Sequence, residues 1–211
     1  MTLDTRSWDR HASWSEQVAV AKRPAMRLIR QMLQLKSGDR VLEVGCGTGW
    51  TLPALSAAVG PEGSVVAVDY SPAMVARAQA RVAREGLSNV RVIQADAADM
   101  PLEPGSFDAV LAMYAISATR DVPAVVRAVH DVVRPGGRVF VMDVHLAPST
   151  SPLARSLRWL YRRMYDWTGV NVLAELTSVF PEVTAVDGKG RRVERVPDAV
   201  PVMNALAIKN A

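Results

Sequence analysis

The sequence predicts an α/β fold: a mostly parallel sheet covered by helices on both faces. Short valine-rich runs bounded by turn residues alternate with helix-length amphipathic segments, and that alternation is the signature of strand–helix–strand units. A glycine-rich turn follows the first run, as it does where a sheet of this kind binds a ligand.

The runs are RVLEVG (40–45), SVVAVD (64–69), VRVIQAD (90–96), FDAVLAM (107–113) and RVFVMDV (138–144), and each reads as a buried strand. Helices are predicted between them at 50–59, 72–86 and 121–134. The last shows the spacing clearly. Val122, Val125, Val126, Val129, Val132 and Val133 fall on one face, with Pro123 near the start and RPGG at the stop. A leading helix at about 17–35 carries a stripe of Leu28, Met32 and Leu35 to pack on the sheet. Beyond residue 145 the pattern changes. An arginine- and aromatic-rich helix (152–167) and a shorter one (172–180) precede VTAVDG and PVMNALAIKN, which read as antiparallel strands closing the sheet.

The 211 residues are 49% hydrophobic and 22% charged, which suits one soluble domain over residues 1–211. Within it, residues 1–37 read as an N-terminal lid and helix, 38–145 as a ligand-binding core, and 146–211 as cap helices and closing strands. No run approaches the ~20 apolar residues of a membrane span, and MTLDTRSWDRHASW lacks the apolar centre of a signal peptide. A cytoplasmic location is the expectation. Cys46 is the only cysteine, so no intrachain disulfide can form and a cysteine-based metal site is disfavoured. A net charge of +4 permits an anionic partner and demands none.

The glycine turn is Gly45-Cys46-Gly47-Thr48-Gly49, with Glu43 two residues upstream. Glycines there let backbone approach a ligand closely. The spacing is GxGxG, neither the GxGxxG of dinucleotide folds nor a phosphate loop ending in GK[ST]. No lysine or arginine stands between Val41 and Arg77, so no cation in that stretch meets a polyphosphate. Asp69 ends the second run, where a carboxylate accepts from vicinal ribose hydroxyls. Asp96 ends the third, where one accepts from an adenine amine. The implied ligand has a ribose, an adenine and no phosphate cluster.

The series ExGxGxG, VDYS, QADAADMPLEPGSFDAV and RPGGRVFV, over roughly residues 15–145, resembles the motifs of class I S-adenosylmethionine-dependent methyltransferases. The resemblance implies a Rossmann-like, doubly wound, seven-stranded sheet whose last strand is antiparallel, with S-adenosyl-L-methionine as cofactor. It places Glu43, Gly45, Cys46, Gly47 and Gly49 along the methionine part, Asp69 at the ribose, Tyr70 on a face of the adenine, and Asp96 and Ala97 at its edge, with Met113 also among the cofactor contacts. AMYAISATRDVPAV with RPGGRVFVMDVH is similar to bacterial phospholipid and quinone methyltransferases, particularly small phosphatidylethanolamine N-methyltransferases. That similarity implies a small hydrophobic or amphiphilic acceptor, and a secondary metabolite is the rival. The asparagine–proline–proline–aromatic motif of nucleic-acid amino-methyltransferases is absent, and AMYAIS stands in its place, so nucleic acid is disfavoured.

Methyl transfer from a sulfonium needs alignment more than acid–base chemistry, so candidates on the acceptor side are few. His145, after the fifth run and on the face of Asp143, either takes a substrate proton, hydrogen-bonds the acceptor or caps the strand end. Tyr114, after the fourth run, walls the pocket or packs in the core. His130 falls with Arg127 and Arg134 on a polar helix face and is expected in solvent. Trp8 and Trp14 precede the first helix in a segment that, as the resemblance implies, folds over the cofactor or else packs as an N-terminal arm, and His11 lies in the same segment with no role assigned. In LARSLRWLYRRMYDW, Leu153, Leu157, Leu160 and Met164 form an apolar stripe among Arg155, Arg158, Arg162 and Arg163. This composition suits a peripheral membrane contact, an acidic substrate or a solvated cover. A non-catalytic cofactor-binding partner protein and a nicotinamide-dependent oxidoreductase are the alternatives to an enzyme of methyl transfer.

Overall fold

The computed structural model describes residues 19–146, 152–165, 167–196 and 202–210. The elements run α1 (Ala19–Leu33), β1 (Arg40–Val44), α2 (Leu52–Val59), β2 (Ser64–Asp69), α3 (Pro72–Arg84), β3 (Val90–Gln94), β4 (Phe107–Met113), a 3-10 turn (Ile116–Ala118), α4 (Val122–Val132), β5 (Val133–Val144), α5 (Pro152–Tyr165), α6 (Val172–Val179), β6 (Glu182–Val186) and β7 (Val202–Ile208). The seven strands lie in the order β3-β2-β1-β4-β5-β7-β6. Neighbours among β1–β5 pair in parallel, and β7 is antiparallel to both β5 and β6. Only the last strand is therefore reversed. After β3 the chain crosses to the far side of β1, so β1 and β4 flank the switch point where such sheets open a crevice at their carboxyl ends.

Period two divides the strand residues between two cores. Leu42, Val44, Val110, Ala112, Val139 and Val141 pack with Val122, Val125, Val126 and Val129 of α4 and Leu176 of α6. Val41, Ala67, Ala109, Leu111 and Phe140 pack on the opposite face with Leu28 and Ile29 of α1, Leu55 of α2 and Ala78 of α3. Each fully buried aliphatic side chain contributes roughly 1.5–3 kcal/mol. The helix starts are encoded locally. Ser71 accepts from the Met74 amide ahead of Pro72, and Asp121 accepts from the Ala124 amide ahead of Pro123. At the other end of α4, Lys209 donates to the carbonyls of His130 and Val133, placing a cation on a helix C-terminus.

Several expectations shift. Glycines 136 and 137 do not end α4 in a free turn. β5 begins at Val133, paired with Phe107, and the register slips between Phe107 and Ala109 to accommodate RPGG, while Lys209 accepts from the Gly136 amide. In α1 the buried stripe is Leu28, Ile29, Met32 and Leu33, and Leu35 lies beyond the helix. His130 is not simply solvated, for its ring packs edge-on against Phe180 with centroids 5.1 Å apart. α5 ends at Tyr165, and Leu160, expected on its apolar stripe, is 42% exposed. Trp8, His11 and Trp14 lie outside the described residues.

Candidate functional site

β1 delivers Glu43 to the face covered by α2, and the two are tied there. Thr51 Oγ1 donates to Glu43 Oε1 at 2.5 Å, and the carboxylate is buried. Its other oxygen, Oε2, has no hydrogen-bond partner. Burial pushes the Glu43 pKa up to about 8; the Thr51 hydroxyl opposes this and the nearby Asp69 charge adds to it.

The loop above Glu43 spends its amides within the chain. Gly45 and Cys46 both donate to the Val68 carbonyl, at 2.8 and 3.0 Å. Gly47 donates to Asp69 Oδ2 at 2.8 Å, and Gly49 donates to the Cys46 carbonyl at 2.9 Å. A polyphosphate would find none of these four N–H groups available, which speaks against dinucleotide binding here. Gly45 and Gly49 hold φ of +68° and +72°, and a Cβ at Gly45 would strike the Ala115 side chain beyond β4. Gly47, at φ +54°, faces open space. The Cys46 side chain points into the core, so this residue offers backbone alone. Burial first, then the Glu43 and Asp69 charges, push its thiol well above the ordinary range. A thiol so held is no nucleophile. Arg81 reaches over from α3 to the Thr48 carbonyl at 3.1 Å.

Asp69 links the loop to the next turn, since its Oδ1 accepts from the Ser71 amide at 2.9 Å. Tyr70 follows directly, and its carbonyl accepts from the Gln94 side chain at the edge of β3. β3 stops at Gln94, so Asp96 does not end the strand as expected. It lies in the following loop, where its side chain accepts from the Ala98 amide at 2.9 Å, and this local bond competes with strand pairing. Ala97 sits between them. Met113 ends β4 opposite Met142.

On the other side of β1, Tyr114 leaves β4 with φ +52° and a side chain 44% exposed, its amide bonded to the Met142 carbonyl at 2.7 Å. A bulky residue at positive φ is costly and marks a turn held by its surroundings. Those surroundings centre on Asp143. Fully buried, it accepts from the Ser117 amide (3.0 Å), the Ser117 hydroxyl (2.5 Å) and the Val144 amide (2.7 Å). Burial raises its pKa, and these donors oppose the rise. The Ser117 carbonyl in turn accepts from the amide and hydroxyl of Thr168. His145 stands one residue past β5, half-buried. Sequence reasoning passed over Thr51, Ser117, Thr168 and the structural role of Asp143. Only the acidic residue inside an apolar strand was a visible signal, and the sequence shows the same signal at Glu43.

Residues 41–137 match the family described as a methyltransferase domain. The chain carries a methyltransferase domain. A demethylmenaquinone methyltransferase of Lactococcus lactis is 34% identical over 145 residues, covering 68% of this chain and 54% of the relative. A nocamycin O-methyltransferase of Saccharothrix syringae is 37% identical over 117 residues, 56% of this chain and 42% of the relative. The chain thus spans about half the length of the curated relatives it matches. Among solved structures, a SAM-dependent methyltransferase from Aquifex aeolicus superposes with a TM-score of 0.68 at 21% identity, covering 95% of this chain and 97% of that one. The likeness confirms the fold of the methyltransferase domain.

The site suits the sulfonium cofactor of this family on its own chemistry. The loop has its glycine amides occupied, so it favours a ligand without phosphates, and Glu43 Oε2 beneath it is a buried oxygen without a hydrogen-bond partner. Among the described residues, no group of three histidine, cysteine or acidic side chains could hold a metal ion.

Proposed function

We propose that this chain is an S-adenosylmethionine-dependent methyltransferase acting on a small hydrophobic or amphiphilic acceptor. The observation that carries the reading is the Asp69 carboxylate, which fastens the glycine loop at Gly47 and the α3 turn at Ser71 and so is fixed at the carboxyl end of β2, where a carboxylate can take ribose hydroxyls. Glu43, Gly45, Cys46, Gly47 and Gly49 would hold the methionine part. Asp69 would take the ribose hydroxyls, Tyr70 a face of the adenine, Asp96 and Ala97 its edge, and Met113 would touch the cofactor near the acceptor. S-adenosylmethionine supplies, when bound, a methyl carbon made electrophilic by a sulfur that leaves as a neutral thioether. The chain's own task is to align the acceptor and keep water out.

Tyr114 and His145, at the carboxyl ends of β4 and β5, are the residues we assign to the acceptor. His145 would remove a proton where the acceptor atom carries one at neutral pH, and would orient the acceptor where it does not. In this reading residues 38–145 hold the cofactor, 146–211 cover the acceptor and 1–37 form the lid. Asp69→Ala is expected to weaken S-adenosylhomocysteine binding by tenfold or more in calorimetry, since at least one charge-assisted hydrogen bond is lost. Unchanged affinity would remove the ribose assignment. Methyl-labelled cofactor incubated with the protein and cell extract should place label in the organic-soluble fraction. Label confined to the aqueous fraction would mean a polar acceptor, and label in neither would favour a non-catalytic cofactor-binding protein.

A membrane contact is the finer reading of α5. Trp159 is 66% exposed and Leu160 42%, beside exposed Arg155 and Arg163, and with Arg155 and Ser156 they line an open surface groove. Among the described residues no helix is long and apolar enough to cross a membrane, so contact would be at the interface. Co-sedimentation with phosphatidylglycerol vesicles but not with phosphatidylcholine vesicles is the expected result. Equal partition would remove this reading.

A further inference from the structure

Two arginines of α5 gather at one aromatic ring, Arg158 half-buried and Arg162 exposed. Arg158 and Arg162, one turn apart, both lean on Trp167, their guanidinium carbons 5.0 and 5.8 Å from the ring centroid. Arg158 also donates to the Leu146 carbonyl, one residue beyond His145. Trp167 is joined through Thr168 to Ser117, three residues beyond Tyr114. The pair therefore stands over the carboxyl ends of β4 and β5, beside the residues assigned to the acceptor.

What sets this cluster apart is its unbalanced charge. Residues 152–167 contain four arginines against one acidic residue, Asp166, and no ion pair to Arg158 or Arg162 is present among the described residues. Two guanidiniums held at one ring repel each other, and the aromatic face offsets only part of that. Trp167 adds a buried donor, for its Nε1–H lacks a hydrogen-bond partner although the residue is only 4% exposed. Two forked cations gathered over one ring form the complement of an oxyanion.

We propose that Arg158, Arg162 and Trp167 form an anion subsite that holds a phosphate or carboxylate carried by the acceptor. The proposal rests on the methyltransferase reading and narrows its substrate class to acceptors bearing an oxyanion near the methylated atom. A neutral apolar acceptor would leave the arginine pair unanswered.

The test is calorimetric titration of the full chain, with and without saturating S-adenosylhomocysteine, at constant ionic strength. The probes are inorganic phosphate and acetate, then phosphoethanolamine and dihexanoylphosphatidylethanolamine below its micellar concentration. Saturable binding at one site is expected, weakened about tenfold or more in Arg162→Gln, the loss of a charge-assisted contact. Arg162→Lys should fall between, keeping charge without the fork. Arg91→Gln, which removes an exposed guanidinium on β3, should bind as the wild type does. Arg158→Gln should also lose binding, but it releases the Leu146 carbonyl, so Arg162 is the cleaner probe. Preference for phosphate over acetate identifies a phosphoester acceptor, and tighter binding of the short lipid than of phosphoethanolamine identifies a lipid headgroup. No saturable anion binding, or equal binding in Arg162→Gln, overturns the subsite. Failure of S-adenosylhomocysteine to bind would instead count against the methyltransferase reading, while the Arg162 comparison still decides the subsite.

Discussion

The two halves of the crevice are built from different materials. At the carboxyl ends of β1 and β2, backbone does most of the work: the amides of Gly45, Cys46 and Gly47 reach the Val68 carbonyl and Asp69 across one neighbouring strand. At the carboxyl ends of β4 and β5, side chains do it. Asp143 holds Ser117 from 26 residues away, and Thr168 holds Ser117 from 51. A backbone loop requires particular residues at fixed spacing, whereas a side-chain network needs only complementary groups that the fold brings together. The first half can therefore be written in one short stretch of sequence. The second is free to change with the acceptor.

Gly45→Ala is the largest blow to the backbone half. It forces a side chain to φ +68° and into the Ala115 methyl group, for a loss of about 2–5 kcal/mol in urea unfolding. Native-like stability in this variant would mean the β1 and β4 turns are not locked together.

Asp143→Ala is the matching blow to the side-chain half. It leaves the Ser117 amide and hydroxyl and the Val144 amide without their acceptor, at a cost of about 2–4 kcal/mol. S-adenosylhomocysteine affinity should hold within about threefold under conditions where the variant is folded, because none of these bonds touches the glycine loop. A large fall in affinity would show that the halves are coupled.

A third comparison sharpens the contrast by pH. Glu43 has a folded pKa of about 8 against an ordinary 4.5, so the folded state binds its proton more tightly. Its contribution to stability is intact below pH 4.5 and is lost as pH rises towards 8, at about 1.4 kcal/mol per pH unit in mid-range. The difference in unfolding free energy between wild type and Glu43→Gln, followed from pH 5 to 8, should carry that slope. A flat difference would mean that Glu43 stays ionised in the fold.

Legibility in the sequence follows the same division. Valine runs and helix stripes predicted a parallel sheet covered on both faces, because strand burial on two faces leaves an apolar trace in the chain, and the reversal of the last strand followed from the family resemblance. The glycine loop, Glu43 and Asp69 were readable because their geometry depends on residues close in sequence. Asp96 was misplaced by two residues because its own side chain ends β3 early. Ser117 and Thr168 left no trace, since a serine and a threonine in loops look alike whether they bind a buried carboxylate or water. The gathering of Arg158 and Arg162 depends on where Trp167 lies, and periodicity along α5 alone does not reveal it.

One consequence of the glycine loop concerns labelling. The protein has a single thiol, and the loop buries it at Cys46 in a form that resists deprotonation. A surface cysteine introduced on α5 would then take a maleimide dye alone, with no need to remove the native residue. Conversely, slow reaction of Cys46 with a disulfide reagent would time the transient opening of the loop itself. Ligands that grip the loop should slow that clock.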